Sequence, residues 1–363
     1  MKKLYFQLAA MHVGGVEKSF LGLLATLSKE KYEIHVGLLH LDGGYMECLP
    51  KHVIIHHVTC YKSLVKLIND PPLSYIKRFI YECKFLDAFM HFCFYLLYKI
   101  SKDRYYFYKY IMRHVPVEPE VYDMAFAYAG PSQMLDFYVC EKIQAKHKYG
   151  WIHFDVQKFG IDQGMTRHLY KNFDKIYVVS ETAKKKFDAL FPEFCNKTEV
   201  RYNIVQKSRI LESAKLGETF SDCFYGKRIL TVGRISIEKG QDVSLDALKI
   251  LVENGYDVKW YYIGDGAQIN ACKKKAVHLN LTDRVAFLGV KTNPYGYMRD
   301  CDIYVQPSRH EGYCLTLAEA RCFNSPIVAT CFTGASEQLQ SSPMSVITGM
   351  SAEDIAMGII KFL

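Results

Sequence analysis

Short apolar segments alternate with amphipathic segments through most of this 363-residue chain, and this alternation limits the fold more than any other feature. The strands predicted in the first half are Lys3–Gln7, Tyr32–Leu38, Val53–Val58, Asp123–Tyr128, Lys148–Ile152 and Lys175–Val179. Those predicted in the second half are Arg228–Val232, Val258–Ile263, Arg284–Leu288, Ile303–Val305 and Ile327–Ala329. The predicted helices include Val16–Leu27, Glu181–Leu190, Asp242–Glu253, Ile269–His278, Thr316–Cys322 and Ala352–Ile360. Repeated strand–helix–strand units predict α/β architecture, with parallel sheets covered by helices on both faces.

The length of the chain fits two such doubly wound domains. We place the first at residues 1–205 and the second at residues 206–345. Residues 346–363 are then left for a C-terminal helix, which either crosses back to the first domain or is too short to do so. Parallel sheets of this kind bind ligands at the carboxyl ends of their strands, so we expect the chemistry in a cleft where the two domains face each other.

The segment at about 61–113 interrupts the alternation, because it is helical in pattern and dense in aromatic residues. Basic residues such as Lys77 and Lys99 are interleaved with the aromatics. An aromatic body with a basic fringe is typical of a segment that lies in a membrane interface. The alternative is an inserted helical pair whose aromatics fill its own core. The best candidate for a membrane span, Phe85 to Ile100, falls short of the roughly 20 apolar residues required.

The composition indicates a reduced intracellular protein with anionic partners. The formal net charge is +8, which favours nucleotides, phospholipid surfaces or nucleic acid. None of the 12 cysteines stands at CxxC spacing and no secretory signal opens the chain, so we expect free thiols and a cytoplasmic location.

Two glutamates, Glu311 and Glu319, bracket the start of a predicted helix that follows a buried strand. Gly312 is expected to let the backbone turn sharply, which leaves Glu311 on the loop and Glu319 deeper in the helix. Backbone N–H groups at the start of a helix attract anions. The arrangement suits a nucleotide sugar, with phosphates on the amides and with ribose and hexose hydroxyls on the two carboxylates.

Two cations follow the first strand of the second half, Arg234 directly after Gly233 and Lys239 in the next loop. A guanidinium and an ammonium can hold a diphosphate from one side and stabilise the charge that departs with it. The alternative is that both form ordinary surface ion pairs. Gly289 ends a further predicted strand, where a loop would place backbone groups against a base, unless the strand serves only the core.

In the first half, Gly14 and Gly15 join the first strand to the first helix, and tandem glycines let a phosphate or sugar approach the backbone. They do not belong to the GxGxxG dinucleotide fingerprint, which argues against a nicotinamide enzyme. His153 follows a predicted strand and is expected to reach the ligand, although isolated histidines are more often structural.

No metal site is predicted. A cluster of histidines, His52, His56 and His57, lies along a probable strand. The cluster has no partner cysteines or acids at ligand spacing, so we do not expect it to bind a metal.

Together these motifs resemble those of family-4 retaining glycosyltransferases of the bacterial surface-polysaccharide type. The matching motifs of the second half are Val232-Gly233-Arg234, Glu238-Lys239-Gly240, Gly264-Asp265-Gly266, Phe287-Leu288-Gly289 and the Glu311…Glu319 block. Those of the first half are Gly14-Gly15-Val16-Glu17, Trp151-Ile152-His153 and Val179-Ser180-Glu181. The resemblance implies a GT-B fold, in which two Rossmann-like domains face each other across a cleft. It also implies an acceptor-side first domain, a donor-nucleotide-binding second domain, no metal and no cofactor.

The resemblance also implies roles for the site residues. Arg234 and Lys239 would hold the donor diphosphate, Glu319 the ribose and Glu311 the hydroxyls of the donor hexose. The other donor contacts would come from Gly14, Gly15, Gly289, Gly312, Tyr313, Cys314 and Leu315. His153 would contact the sugar near the reacting carbon, so the catalytic set would be Glu311, His153, Arg234 and Lys239.

The function implied is transfer of a hexose from a nucleoside-diphosphate sugar, by the family's habit a UDP-sugar, to a glycan or lipid-linked acceptor in surface polysaccharide synthesis. The sequence offers no nucleophile at the expected place, which favours same-face transfer with retention. We expect a cytoplasmic enzyme that is peripheral on the inner face of the membrane and binds no nucleic acid. The alternatives are a catalytically inactive nucleotide-sugar-binding partner, and a GT-B phosphorylase or epimerase.

Overall fold

The computed structural model describes residues 1–59, 61, 72–158, 160–340 and 342–363. The chain divides into two compact units. The first unit is formed by Met1–Val179 and Lys184–Arg201, and the second by Ser180–Ala183 and Tyr202–Leu363. Residues 62–71 of the predicted inserted segment lie outside the described residues.

A parallel sheet of seven strands, in the order β3-β2-β1-β4-β5-β6-β7, forms the centre of the first unit. Its strands are β1 (Lys2–Leu8), β2 (Tyr32–Leu38), β3 (Ile54–His57), β4 (Val121–Gly130), β5 (Gln144–Ile152), β6 (Lys175–Val178) and β7 (Thr198–Val200). Its helices are α1 (Gly15–Leu24), α2 (Pro72–Tyr81), α3 (Phe85–Ser101), α4 (Tyr105–Ile111), α5 (Gln133–Lys142), α6 (Gln163–Tyr170) and α7 (Glu181–Leu190), the last of which begins within the second unit. The strand order reverses between β1 and β4, which makes this place the topological switch point of the sheet.

The second unit repeats the design with six parallel strands in the order β10-β9-β8-β11-β12-β13. Its strands are β8 (Lys227–Val232), β9 (Val258–Ile263), β10 (Val285–Phe287), β11 (Ile303–Gln306), β12 (Ile327–Thr330) and β13 (Ser345–Thr348). Its helices are α8 (Lys207–Leu216), α9 (Gln241–Glu253), α10 (Ile269–His278), α11 (Tyr295–Asp300), α12 (Leu315–Ala320), α13 (Ala335–Leu339) and α14 (Ala352–Ile360). Here the order reverses between β8 and β11, the strands that precede the Arg234–Lys239 and Glu311–Glu319 motifs.

The C-terminal segment groups with the second unit. Strand β13 extends the second sheet beside β12. The side chains of Ile355 and Ile359 on α14 are fully buried in the hydrophobic core of the second unit. Their apolar burial fixes α14 within that unit.

The helical insertion of the first unit has an aromatic inner side and an apolar outer side. Its inner side packs aromatic rings around the buried His91, including those of Tyr75, Phe107 and Tyr110. Its outer side leaves large apolar side chains of α3 exposed. Some aromatics of the segment therefore fill a local core, as one interpretation predicts, and others are exposed. No helix among the described residues is long and apolar enough to span a membrane.

Candidate active site

A buried ion pair lies at the switch point of the second sheet. Lys239 Nζ stands 2.5 Å from Glu311 Oε1, and the two side chains are 22% and 9% exposed. Burial by itself would lower the pKa of Lys239, but the Glu311 carboxylate outweighs it and holds that pKa above its usual value. The ammonium is therefore charged at neutral pH, and the site presents a fixed positive group beside a carboxylate.

The loops that carry this pair are held against each other by backbone contacts and a second ion pair. Gly240 has a φ of 72°, and a Cβ there would lie 2.0 Å from the carbonyl oxygen of Pro307, so only glycine fits. Arg309 donates two hydrogen bonds to the Asp242 carboxylate, of 2.7 and 2.8 Å. Its amide also donates to the carbonyl of Glu238 at 2.8 Å. These contacts set the distance between Lys239 and Glu311.

A buried chain of hydrogen bonds leads from the core to Glu311. Tyr304 Oη and Thr316 Oγ1 both donate to Gln306 Oε1, at 2.8 and 3.2 Å. Gln306 Nε2 donates to Ser308 Oγ at 2.9 Å, and Ser308 Oγ donates to Glu311 Oε1 at 2.8 Å. The two donors on Gln306 Oε1 fix the orientation of the amide. Each hydrogen bond in this series therefore has its donor on the side away from Glu311 or leads to the next donor toward it, and the last one ends on the Glu311 carboxylate.

The segment after Glu311 turns its carbonyls inward. Ser180 Oγ donates to the carbonyl of Gly312 at 3.3 Å, and Gln338 Nε2 donates to the carbonyls of Tyr313 and Cys314. In the described part of the second unit, no acceptor bonds the N–H groups of Gly312, Tyr313 and Cys314. These amides are available to a ligand, as is that of Leu315 at the start of α12.

The sharp turn lies at Cys314 and not at Gly312 as predicted. Cys314 has a φ of 66°, a left-handed conformation that residues other than glycine seldom adopt. Burial raises the pKa of its thiol, so the sulfur is protonated and a poor nucleophile at neutral pH. Strain of this kind is found at functional sites, where surrounding contacts maintain it.

Glu319 is the most enclosed of the predicted site residues. Its side chain lies on α12 with 2% exposure, and Oε1 accepts a hydrogen bond of 3.0 Å from Tyr295 Oη. Tyr295 itself belongs to a hydrophobic core of the second unit. The carboxylate of Glu319 is therefore buried, with a core tyrosine as one of its partners.

The remaining predicted residues of the second unit are accessible. Arg234 is exposed, and it forms no ion pair with any residue that the structure describes. Gly289 has a φ of 71° and open space where a side chain would stand, while its carbonyl accepts from the amide of Gly264 at 2.8 Å. Neither residue is committed to the core.

In the first unit, Gly14 and Gly15 follow β1 at the switch point and begin α1. A Cβ at Gly15 would meet no atom within 4 Å, whereas one at Gly14 would lie 2.5 Å from Glu17 Oε2. The backbone of Gly15 is thus open to a ligand.

His153 follows β5 and is almost fully buried. Its ring bonds the carbonyl of Tyr128 and stacks on Trp151, while its Nε2 is buried without a hydrogen-bond partner among the described residues. Burial lowers the pKa of His153 to about 3, so the imidazole is neutral. With the proton on Nδ1, Nε2 presents an unsatisfied acceptor.

The sequence reasoning identified Lys239 and Glu311 but missed Gln306 and Ser308, which support them. A buried glutamine two residues before a serine, inside an otherwise apolar strand, was the available signal, because buried polar side chains require partners. The tyrosine that bonds Glu319 carried no comparable signal, since it lies 24 residues away in the chain.

Residues 226–363 match the family of glycosyl transferases group 1. An uncharacterized glycosyltransferase, MJ1059 of Methanocaldococcus jannaschii, is 29% identical over 177 residues, which are 48% of this chain and 44% of that protein. The N-acetylgalactosamine-N,N'-diacetylbacillosaminyl-diphospho-undecaprenol 4-alpha-N-acetylgalactosaminyltransferase of Campylobacter jejuni is 27% identical over 161 residues, 44% of this chain and 42% of that protein. The chain therefore spans less than half the length of these curated relatives.

Solved structures extend the likeness to the whole chain. Anabaena Alr3699/HepE in complex with UDP and glucose gives a TM-score of 0.68 at 17% identity, over 98% of this chain and 88% of that one. A mutant of Staphylococcus aureus TarM in complex with UDP and other ligands gives 0.67 at 14% identity, over 100% and 92%. With the two parallel sheets, these likenesses confirm the predicted GT-B fold class with two Rossmann-like units.

Proposed function

Because residues 226–363 of this chain match the family of glycosyl transferases group 1, we propose that the protein is a glycosyltransferase that moves a hexose from a UDP-sugar to a glycan or lipid-linked acceptor, with retention of configuration. The observation that carries the proposal is the Lys239–Glu311 pair beside the unbonded amides of residues 312–314, at the switch point of the sheet. Ligands of parallel sheets bind at this place.

The donor fits the charges of the site. Lys239 and the exposed Arg234 supply two cations for the diphosphate, and the amides from Gly312 to Leu315 supply neutral donors. Glu311 accepts hydrogen bonds at Oε1 from Lys239 and Ser308, so Oε2 is the oxygen offered to hexose hydroxyls. Glu319 would take the ribose through an exchange or sharing of its Tyr295 hydrogen bond. No metal and no cofactor are required in this scheme.

The proposed chemistry is transfer on one face of the sugar. The bond from the anomeric carbon to the diphosphate oxygen breaks, the acceptor oxygen bonds that carbon from the same face, and the acceptor proton passes to the leaving phosphate. Lys239 and Arg234 stabilise the charge that the leaving diphosphate gains. The only thiol in the Glu311–Glu319 segment, Cys314, is protonated and buried, which leaves it unsuited to form a covalent intermediate.

His153 fits a role as hydrogen-bond acceptor and not as acid. Its neutral ring and unsatisfied Nε2 suit a hydroxyl of the donor hexose. A buried acceptor without a partner costs free energy, and a sugar hydroxyl would relieve that cost on binding.

We further propose that the enzyme works as a peripheral protein on the inner face of the cytoplasmic membrane, where a lipid-linked acceptor is found. The outer face of α3 exposes Phe85, Leu86, Phe89, Phe92, Leu96, Leu97 and Ile100. These positions follow helical spacing, so they form one apolar stripe. Exposed Lys77, Lys99 and Lys102 lie on the same insertion and would attract anionic headgroups.

The deciding experiment measures release of nucleoside diphosphate from a panel of UDP-, GDP- and ADP-sugars, with membrane extract as the acceptor source. We expect turnover with a UDP-hexose. In Glu311→Gln, which keeps the shape of the side chain, kcat should fall by about 10²–10³ because the hexose loses its anionic partner. UDP binding, measured by calorimetry, should change little.

The matched control is Glu253→Gln, which alters an exposed glutamate of the same unit that forms a surface ion pair with Lys249. This variant should keep full activity. The proposal fails if no sugar nucleotide in the panel is turned over. It also fails if Glu311→Gln loses UDP binding and activity together, because Glu311 would then be needed for folding and not for catalysis.

A further inference from the structure

The first unit contains a cluster of metal-ligand side chains that the proposed function does not use. His35 lies on β2, His56 on the edge strand β3, and Glu120 directly before β4. One ligand atom from each lies within 4.8 Å of the other two. His52 and His57 are the neighbours of His56 in the sequence, whereas the partners that the fold brings to it are distant in the chain.

The geometry points to a divalent transition-metal site, and we propose that His35 Nδ1, His56 Nε2 and a carboxylate oxygen of Glu120 bind a zinc-type ion. His35 Nδ1 lies 2.7 Å from His56 Nε2 and 3.5 Å from Glu120 Oε2. Ligand atoms on one tetrahedral Zn²⁺ stand about 3.3 Å apart, given bond lengths of about 2.0–2.1 Å. The two imidazole nitrogens would have to separate by about 0.6 Å to reach that spacing, and His56 and Glu120 are only partly buried, which leaves their side chains room to adjust.

The second ring nitrogen of His35 supports this assignment. His35 Nε2 lies 2.9 Å from Glu33 Oε1, and the ring is 3% exposed. A histidine that binds a metal commonly donates its other N–H to a carboxylate, which fixes the tautomer and orients the ring. With its proton on Nε2, His35 offers a lone pair at Nδ1, which lies 2.7 Å from His56 Nε2 and 3.5 Å from Glu120 Oε2. That lone pair can accept a proton from His56 Nε2, or it can bind a cation that His56 and Glu120 share.

The charge around the cluster also suits a dication. Lys3 Nζ bonds Glu120 Oε1 and lies 3.5 Å from Glu33 Oε1. One ammonium therefore faces two carboxylates, which leaves one net negative charge and keeps Glu120 Oε2 turned toward His35. Two histidines and one carboxylate form a ligand set that leaves a fourth position for water.

A metal bound at this site would stabilise the fold and would take no part in sugar transfer. Lys3 and Glu33 lie at the amino ends of β1 and β2, whereas Gly15 and His153 follow the carboxyl ends of β1 and β5. A metal here would tie the four-residue edge strand β3 to its neighbours and stabilise the native state by mass action.

Zinc binding is tested on the full chain by calorimetric titration with Zn²⁺, after the cysteines have been alkylated. Alkylation is needed because all the described cysteines are free thiols and several are exposed. We expect saturable binding of about one Zn²⁺ per chain and a rise in melting temperature with added Zn²⁺. His56→Gln and Glu120→Gln should each weaken binding at least tenfold, and Glu33→Gln by about 10–100-fold through the orientation of His35.

The matched control is His52→Gln, which removes an exposed histidine two residues before β3 and should leave the affinity unchanged. Melting in the absence of zinc shows whether each variant is folded. The proposal is overturned if folded wild type takes up no zinc, or if folded His56→Gln and Glu120→Gln bind as tightly as wild type. In that case His35 and His56 serve as a hydrogen-bonded pair only. UDP binding in the second unit is expected to be unaffected by all these variants, so this result is independent of the proposed function.

Discussion

At the scale of single residues, the candidate site depends on how one carboxylate is oriented. Glu311 Oε1 accepts hydrogen bonds from both Lys239 and Ser308. Because Gln306 donates to a lone pair of the Ser308 hydroxyl, the proton of that hydroxyl is directed to Glu311. Ser308 is fully buried and Gln306 is 1% exposed, so neither would touch a substrate directly. They are positioning residues, and the oxygen that they leave available is Oε2.

We predict that Ser308→Ala lowers kcat about 5–30-fold, which corresponds to the roughly 1–2 kcal/mol of one buried hydrogen bond to a charged group. The KM for the sugar nucleotide and the Kd for UDP should change less than about twofold, because the diphosphate contacts are untouched. Steady-state kinetics and calorimetry check this split. Ser308→Thr should recover part of the rate, since it keeps the hydroxyl.

Ser325→Ala serves as the control for this variant. Ser325 donates to the carbonyl of Cys301 in the same unit, away from Glu311, so its loss should affect stability without changing kcat. If Ser308→Ala turned over at the wild-type rate, Glu311 would be held by Lys239 alone and the hydrogen-bond chain would have only a structural role.

At the scale of elements, regular apolar strands were predictable and the contacts between elements were not. Tyr32–Leu38 and Val258–Ile263 are confirmed residue by residue, because β-branched and aromatic residues are enriched in strands and both segments are mostly buried. The short edge strand β13 was missed, since four residues, three of them half-buried and one exposed, give a weak pattern. The ends of α12 also shifted, to Leu315–Ala320, because the left-handed turn lies at Cys314.

The same limit applies to the candidate site. Motif order placed Lys239 and Glu311 in neighbouring loops, and the structure joins them in an ion pair. Nothing local in the sequence indicated that Glu319 would bond Tyr295, or that His35 would meet His56. Such contacts depend on strand order and register, which one sequence specifies only through the complete fold.

The exposed apolar stripe on α3 is expected to contact the membrane. Phe89→Asp combined with Ile100→Asp should weaken binding to phosphatidylglycerol vesicles at least tenfold, because each buried large apolar side chain contributes about 1.5–3 kcal/mol. Both side chains are well exposed and support no core, so the fold should be retained. Vesicle co-sedimentation measures the effect. Phosphatidylcholine vesicles should bind the wild type less, since the basic fringe prefers anionic headgroups.

Val277→Asp combined with Met357→Asp is the matched control, because these exposed apolar residues lie on the second unit. That pair should leave vesicle binding unchanged. Equal loss in both double variants would indicate general adhesion of apolar surface, and no loss in the α3 variant would remove the membrane from the proposal.

At the scale of the whole molecule, stability is distributed over two units that each contain a complete sheet and core. A chain of this design need not unfold in one step, so melting curves are best compared between variants and not converted to a single free energy. A buried acid makes the first unit sensitive to pH. Asp136 Oδ2 accepts hydrogen bonds of 3.1 Å from the amide of Ser132 and from Tyr170 Oη, while Oδ1 has no hydrogen-bond partner among the described residues.

Burial raises the pKa of Asp136 to about 8, against an ordinary value near 4, so the folded chain holds a proton that the unfolded chain releases. The stability that this proton gives is complete below about pH 4, declines as the pH rises, and is lost above about pH 8. Asp136→Asn keeps the acceptor for Ser132 and Tyr170 without the titration. We therefore predict that its melting temperature, relative to wild type, rises between about pH 5 and pH 8 by about 4 °C or more and then levels off.

Calorimetric scans from about pH 5 to pH 9 test this expectation, with the exposed Asp283→Asn of the second unit as control. The control should run parallel to wild type at every pH, because Asp283 is exposed and lies in the other unit from Asp136. A constant gap between Asp136→Asn and wild type would mean that Asp136 is ionised in the folded chain. Its carboxylate would then need a second donor at Oδ1, and an ordered water is the candidate that a buried oxygen next to polar backbone allows.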